Sequence, residues 1–398
     1  AYAVVSYQTA WLKANHPVEF MAGVMNCDIH LTDKLAIYFE EVRKGLGLKY
    51  VPPCVNRSLS TFNVVDGELV YALGALKNVG GEAMNLIVHA RQVEGEERPF
   101  ATLYDLARRV DLKRVGKRPL EMLARSGAFD QLDPNRRRVF EGLDALVGYS
   151  AAIFEQKNSN QVSLFGEAGD DLPEPRFAPV PDWLPAERLG EEFKAIGFYL
   201  SGHPLDDYMV ALRRKKVLTL DEVLVKAERG GPILVKMAGV VAGRQERKSA
   251  RGNRFAFAQL SDTTGAYEVT LFSEALEKCR DYLETGAKVV VTAEATMESD
   301  QLKLLARSVG PVDAVTADAG NSNLKIYISD AQAISTVARV LEDAAQSAPR
   351  TARGEVFMML QDPGLPGDVA MELGARFPVN PQIKGAIRSL GGVLEVEE

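Results

Sequence analysis

The sequence predicts a multidomain α+β protein, and three observations carry that prediction. The first fifty or so residues show helical periodicity, residues 231–312 alternate like the strands of a small barrel, and residues 323–398 mix two helices with short strands. At 398 residues the chain has room for two to four domains, each with its own core. A hydrophobic share of 46% and a charged share of 25% are ordinary for a globular protein and exclude a disordered or fibrous one. No run approaches the roughly 18 apolar residues of a membrane span, so no membrane role is expected. Ala1-Tyr2-Ala3-Val4-Val5 reads as the interior of an apolar helix with no initiator Met, which suggests a piece of a longer protein. Cys27, Cys54 and Cys279 are scattered and odd in number, which points to a reducing, cytoplasmic setting without a disulfide framework or zinc site.

Residues 1–70 open with helices. Pro17 suits the first turn of one, and Thr32-Asp33 suits the cap of another whose Leu35, Phe39 and Val42 share a face. Gly45 and Gly47 stop it. Phe62-Asn63-Val64-Val65 and Glu68-Leu69-Val70-Tyr71 then flank Asp66-Gly67, a hairpin signal because both turn positions favour positive φ.

Residues 71–230 read as a second domain. Leu73 to Ala83 leads into an apolar helix and contains Lys77-Asn78-Val79-Gly80-Gly81, a tight turn whose backbone N–H groups, at the start of that helix, would face a DNA phosphate. In that turn Asn78 is the non-glycine residue type that best tolerates the left-handed conformation. A second helical pair is expected from Pro119 to Leu146, with Ser126-Gly127-Ala128-Phe129 at its turn. Ordinary packed helices with glycines at their contacts remain the alternative. The net charge of −7 rules out a protein coated in positive charge but not local patches. Arg108, Arg109, Lys113, Arg114, Lys117 and Arg118 form one cluster, and Arg136-Arg137-Arg138 another; Arg114, Lys117 and Arg118 are the candidates for duplex DNA.

Gln161-Val162-Ser163-Leu164-Phe165 sits between polar Lys157-Asn158-Ser159-Asn160 and an acidic, proline-rich stretch from Glu167 to Pro185. An amide, two spacers and a Leu-Phe pair can bond to the rim of a pocket while both apolar side chains fill it. The alternative is an anchor that folds back on its own domain.

Residues 231–312 give strand Ile233–Val241, a basic loop Arg244 to Arg254, strands Phe255–Leu260 and Tyr267–Phe272, a helix Glu274–Leu283, and strands Val289–Ala295 and Leu302–Ala306. Three strands, a helix and two strands are the order of an OB-fold β-barrel. Arg244, Arg247, Lys248, Arg251 and Arg254 would meet single-stranded DNA, with Phe255 and Phe257 offered to unpaired bases. Alternation on one face makes a core position the simpler expectation for both phenylalanines. After a linker, Ala314 to Ser322, residues 323–398 form a small α/β unit whose scattered cations offer phosphates no stripe, so a protein partner is expected.

The carboxylate pairs Glu40-Glu41 and Asp206-Asp207 lie on helical segments, and His16, His30, His89 and His203 are far apart, so no catalytic or metal site is expected. The order of the parts resembles the C-terminal part of the bacterial C-family replicative polymerases, the DNA polymerase III alpha subunits. The likeness runs through Ser6 to Ala14, Pro52 to Asn56, Lys77 to Ala83, Ser126 to Asp130, Gln161 to Phe165, Leu200-Ser201-Gly202-His203-Pro204-Leu205 and the barrel. It implies an end of the fingers domain (1–70) and tandem helix-hairpin-helix units with a peptide for the sliding clamp, or beta subunit (71–230). It further implies an OB-fold near single-stranded template (231–312) and a domain for the clamp-loader tau subunit (323–398). The family's palm carboxylates and their Mg2+ ions would lie outside this stretch, which would be inactive alone although its parent is a DNA-directed DNA polymerase. An error-prone paralogue, or a non-enzymatic DNA-binding scaffold, are the other readings; the former generally lacks the last domain.

Overall fold

The computed structural model describes residues 2–93, 96–158, 172–228, 230–248, 254–298, 301–316, 323–330, 332–347, 353–361 and 369–397. They fall into two units, Ala1–Ser201 and Gly202–Glu398.

The first unit opens with helices α1 (Tyr2–Asn15), α2 (Pro17–Cys27) and α3 (Thr32–Glu40). Pro17 starts α2 because the N–H it lacks would have had no intrahelical partner there. Thr32 and Asp33 are not the cap of α3; Leu31 is, without a side-chain bond, and Asp33 complements the helix dipole from the first turn. The helix widens into a π turn, Glu41–Gly45, and Gly47 turns the chain at a φ of 60°. Strands β1 (Tyr50–Val51), β2 (Asn63–Val65) and β3 (Glu68–Val70) pair in the order β1-β3-β2. Asp66 and Gly67 join β2 to β3 with φ of 53° and 77°, the turn their sequence demands.

A 3-10 turn, Leu73–Ala75, precedes α4 (Gly81–Ala90) and the short pair β4 (Gln92–Val93) and β5 (Glu96–Glu97). Helices α5 (Leu103–Arg109), α6 (Leu112–Val115), α7 (Lys117–Ser126), α8 (Arg136–Asn158) and α9 (Pro185–Ile196) complete the unit. Met25, Phe39, Leu69, Tyr71, Ile87, Leu106, Leu123 and Ile196 belong to one core, so no break occurs at residue 70. The Tyr71 ring sits among Phe39, Phe62 and Phe198, and burial pushes its hydroxyl well above the usual range.

The second unit begins earlier than the sequence suggests. After a 3-10 turn, Asp206–Tyr208, come α10 (Met209–Arg214) and α11 (Leu220–Ala227), and Val223, Leu218 and Leu220 pack on the barrel core. Strands β6 (Ile233–Lys248), β7 (Arg254–Ser261) and β8 (Ala266–Phe272), helix α12 (Ser273–Cys279), and strands β9 (Lys288–Glu298) and β10 (Gln301–Pro311) form a closed barrel in the order β10-β8-β7-β6-β9. Strands β8 and β10 pair in parallel, with Leu304 opposite Val269. This is the OB-fold order.

Helix α13 (Val312–Thr316) follows, with Val312 and Thr316 buried, so Ala314 to Thr316 are helix and not linker. Strand β11 (Leu324–Ile328), helix α14 (Gln332–Ser347), strands β12 (Arg353–Leu360) and β13 (Val369–Pro378), helix α15 (Pro381–Arg388) and strand β14 (Val393–Glu397) end the chain. The sheet order is β13-β12-β11-β14, with β11 and β12 parallel across α14. Asn380 caps α15 by accepting the Ile383 N–H at 2.8 Å.

Helix α15 rests on the 206–208 turn. The Lys288 Nζ donates to Gln382 at 2.7 Å, the Tyr208 hydroxyl donates to Asp313 at 2.8 Å, and a Cβ added at Gly385 would lie 2.7 Å from the Asp207 carboxylate. Burial lowers the Lys288 ammonium below its usual range and raises the Asp207 carboxyl, with Asp206 adding to the latter.

Candidate nucleic-acid interface

Leu76-Lys77-Asn78-Val79-Gly80 recurs as Leu112-Lys113-Arg114-Val115-Gly116. Both copies bury the leucine and valine, and both glycines cap the next helix, α4 or α7. One turn further on, Met84 and Ile87 in one copy and Leu120 and Leu123 in the other enter the same core. The second hairpin therefore spans residues 112 to 123, and not Pro119 to Leu146. Gly127 instead ends α7 at a φ of 82°, where a Cβ would collide with the Arg136 guanidinium. That guanidinium donates to both Asp130 oxygens, at 2.9 and 2.8 Å, so the Ser126 to Phe129 turn packs an internal arginine. The repeated five residues were visible in the sequence, but glycine and serine at 126–127 gave a louder turn signal.

In the first hairpin Asn78 has a φ of 60°, the left-handed conformation expected of it. Gly80 and Gly81 look onto open space, with nothing within 4 Å of an added Cβ. The first N–H groups of α4 have no partner within the helix and are open to an anion. Lys77 is placed differently from expectation. Its backbone N–H donates to Ala195 at 2.8 Å, its Nζ lies over the Phe193 ring at 5.4 Å, and burial lowers its pKa. It braces α9 while Val79 fills the core.

The structure separates committed from available cations. Arg108 pairs with Glu174, Arg109 with Asp105, Lys117 with Asp144, Arg137 with Glu141 and Arg138 with Asp133, at 2.6 to 3.2 Å. Lys113, Arg114 and Arg118 are exposed and make no ion pair among the described residues. All three flank the Gly116 turn, and Asp111 accepts the Lys113 and Arg114 N–H groups, fixing their backbone. Lys113 completes the set that Arg114 and Arg118 begin, while Lys117 is shared with Asp144.

On the barrel, the expected basic loop is largely strand. Arg244, Arg247 and Lys248 lie on β6 and Arg254 opens β7, with Arg247 opposite Phe255 and Lys248 opposite Arg254. A bulge between Val241 and Gly243 bends β6 where it leaves β9, and its second half, paired to the start of β7, forms an arm of the barrel wall itself, since β7 pairs in turn with β8. Arg251 lies outside the described residues. Arg244 is engaged, donating to the Arg280 carbonyl at 2.8 Å and lying 3.3 Å from Glu246.

Phe255 and Phe257 do not enter the core. Ala256, Ala258 and Leu260 do, packed with Tyr267, Val269 and Leu271 of β8, and both phenylalanines face outward, half-buried. Their rings meet edge to face at 5.4 Å, and the Arg247 guanidinium lies 5.6 Å from the Phe257 centroid. Phe272, opposite Phe255 on β8, is 57% exposed and extends this surface. The alternation of Tyr267, Val269 and Leu271 into the core was the signal that could have found it.

Gln161, Val162, Ser163, Leu164 and Phe165 lie outside the described residues. Where description resumes, the acidic stretch is not a free tether. Tyr104 donates to Pro175 at 2.8 Å, Asn135 to Val180 at 2.7 Å and Arg188 to Asp182 at 2.9 Å.

Among the described residues no group of three or more His, Cys, Asp or Glu could hold a metal. Glu40 is paired with Arg43 and Lys44, Glu41 with Lys13, and Asp206 accepts the His203 N–H. His203 lies 3.2 Å from Ser261 in a pairing that resembles a nucleophile and its base. Its Nδ1 accepts the Leu205 N–H at 3.2 Å, so Nε2 carries the proton and donates to Ser261. The pair clasps the turn to β7 and cannot activate the serine.

Residues 47–139 match a family model described as a helix-hairpin-helix motif, and residues 235–312 one described as an OB-fold nucleic acid binding domain. Over its whole length the chain is 37% identical to the DNA polymerase III subunit alpha of Caulobacter vibrioides and 32% identical to that of Escherichia coli, covering 34% of each. The Pasteurella multocida protein of the same name is 33% identical over 96% of the chain and 32% of its own length. The chain thus spans about a third of the length of the curated relatives it matches.

Proposed function

We propose, for a chain that belongs to the DNA polymerase III alpha-subunit family, that it is the DNA-gripping and protein-docking portion of a cytoplasmic replicative DNA polymerase. The observation that carries this reading is the pair of matched hairpins. Each offers the open backbone of a helix start to a phosphate, and the second adds Lys113, Arg114 and Arg118, which nothing neutralises among the described residues. Such a pair grips duplex DNA without reading its sequence. The outward aromatic surface of Phe255, Phe257 and Phe272, with Arg247, Lys248 and Arg254 on the same arm, suits stacking against unpaired template bases. Gln161 to Phe165 would hold the sliding clamp, and residues 323–398 the clamp-loader tau subunit. Nucleotidyl transfer and its Mg2+ belong to the remainder of the polymerase.

Duplex binding, followed by fluorescence anisotropy against salt, tests the reading. Replacing Arg114 and Arg118 with Gln removes two phosphate contacts, so the slope of log K against log salt should fall by about 1.8. Arg136→Gln should leave that slope unchanged, because Asp130 already neutralises it. Equal slopes for wild type and the double variant would refute the duplex grip.

A further inference from the structure

We propose that Arg213, Arg214 and Lys216, with Lys236 alongside, form an additional binding patch for DNA phosphates, at the end of the barrel remote from the β6–β7 arm. The proposal rests on the DNA-binding reading above and adds a contact that neither the hairpins nor the arm supplies.

Helix α10 closes on Arg213-Arg214 and the chain runs on through Lys215-Lys216, together the longest run of cations in the chain. Arg213, Arg214 and Lys216 are exposed and make no ion pair among the described residues. Buried neighbours fix their direction. Leu212 and Val217 are 2% and 6% exposed, and the Val217 N–H donates back to the Leu212 carbonyl at 3.0 Å. Two residues beyond Lys216 the chain joins the barrel: the Leu218 N–H donates to the Lys236 carbonyl at 2.8 Å, and Leu218 bridges Met237 in parallel. This brings exposed Lys236, on a different element, beside the run.

Cations at a helix C-terminus also complement the helix dipole, which would explain one or two of them. It does not explain Lys236, which is on a strand. Nor does it explain Lys216, whose φ of 57° is a conformation that glycine or asparagine adopts at less cost. A lysine held there despite strain, beside Arg213, Arg214 and Lys236, none of which pairs with a carboxylate among the described residues, fits a ligand that carries repeated negative charge. A DNA strand is favoured over an acidic protein because the same barrel carries the arm. Lys236 and Lys248 are about 40 Å apart measured along β6, so a strand touching both would lie along the barrel, within the range of 4–16 nucleotides that OB-folds engage.

The test uses the full 398-residue chain, with a labelled oligothymidine and a duplex of equal length, each titrated across a salt series. The variant Arg213→Gln/Arg214→Gln/Lys236→Gln should lose about two to three units of salt slope and at least tenfold in affinity at low salt. Loss on the single strand alone, or on the duplex alone, supports the patch and says which form it holds. Lys216→Gly removes a cation while relieving the backbone, so it should keep or raise the thermal midpoint and still weaken binding. Unchanged slopes on both DNAs, while Arg247→Gln/Lys248→Gln/Arg254→Gln loses single-strand affinity, would overturn this patch and leave the DNA reading intact. If those slopes stayed unchanged and binding to the tau subunit fell instead, the patch would belong to a protein and the proposal would be overturned. Unchanged binding in both the patch and the arm variants would overturn the single-strand reading along with it.

Discussion

Gly80 and Gly116 end matching hairpins, yet a side chain would meet different conditions at each. Gly80 has a φ of −85° and open space around it, so Gly80→Val should change stability by no more than about 1 kcal/mol. Its methyl groups would occupy the space a phosphate must approach, so duplex affinity should fall at least tenfold, by the same anisotropy assay. Gly116 has a φ of 94°, where a β-branched residue is strained, and Gly116→Val should cost about 2 kcal/mol in urea unfolding before any DNA is added. The proposed clamp peptide makes a simpler prediction. Leu164→Ala with Phe165→Ala removes about 3 kcal/mol of apolar burial, a hundredfold or greater loss of clamp affinity in surface plasmon resonance. Lys288 supplies a pH test. Because burial lowers its pKa from 10.5, the folded protein releases that proton at lower pH than the unfolded chain does, and stability rises as pH climbs through the interval. Lys288→Met should lose that rise in urea midpoints measured from neutral to alkaline pH. At this scale residue type was a good guide to backbone: Asn78 and Asp66 take positive φ as their chemistry predicts. It was a poor guide to partners, since nothing local told that Lys77 would lie over Phe193 or that Arg244 would bond to Arg280.

Among elements, the strands of the barrel and of the terminal sheet were legible because alternation and turn residues bracket each one. Which side of β7 faces inward was not. Alternation defines two faces but does not rank them, and the choice of Ala256 and Ala258 over two phenylalanines depends on the large side chains, Met237, Tyr267, Leu271 and Leu304, that the other strands already put inside. The outward face yields a prediction. Phe272→Ala removes a ring that is mostly solvated, so the thermal midpoint should hold while single-strand affinity falls by about 1–3 kcal/mol, the worth of one stacked base. A fall in the midpoint without loss of affinity would make Phe272 a packing residue. The second hairpin was hidden by its first helix, α6, which at four residues is too short to show periodicity.

For the molecule as a whole, boundaries drawn from composition were displaced by contacts that cross them. Leu218, Leu220 and Val223 precede the first barrel strand but pack into the barrel, and Lys288 and Gln382, distant in the chain, bond directly. Deleting everything after Ser322 should abolish binding to the tau subunit while sparing clamp and duplex binding. It should also uncover Tyr208, Asp207 and Lys288, so hydrogen exchange at residues 206–208 should quicken; unaltered exchange there would show that α15 does not protect the turn. Strand β6 has a mechanical consequence. It is both barrel wall and arm, running from Ile233 to Lys248 and paired to β9 over Ile233 to Val240 and to β7 from Val240 onward. A tug on the arm directed along β6 would load both hydrogen-bond ladders at once in shear, so the barrel should yield at higher force when pulled from the arm tip than when β10 is peeled from its C-terminal end.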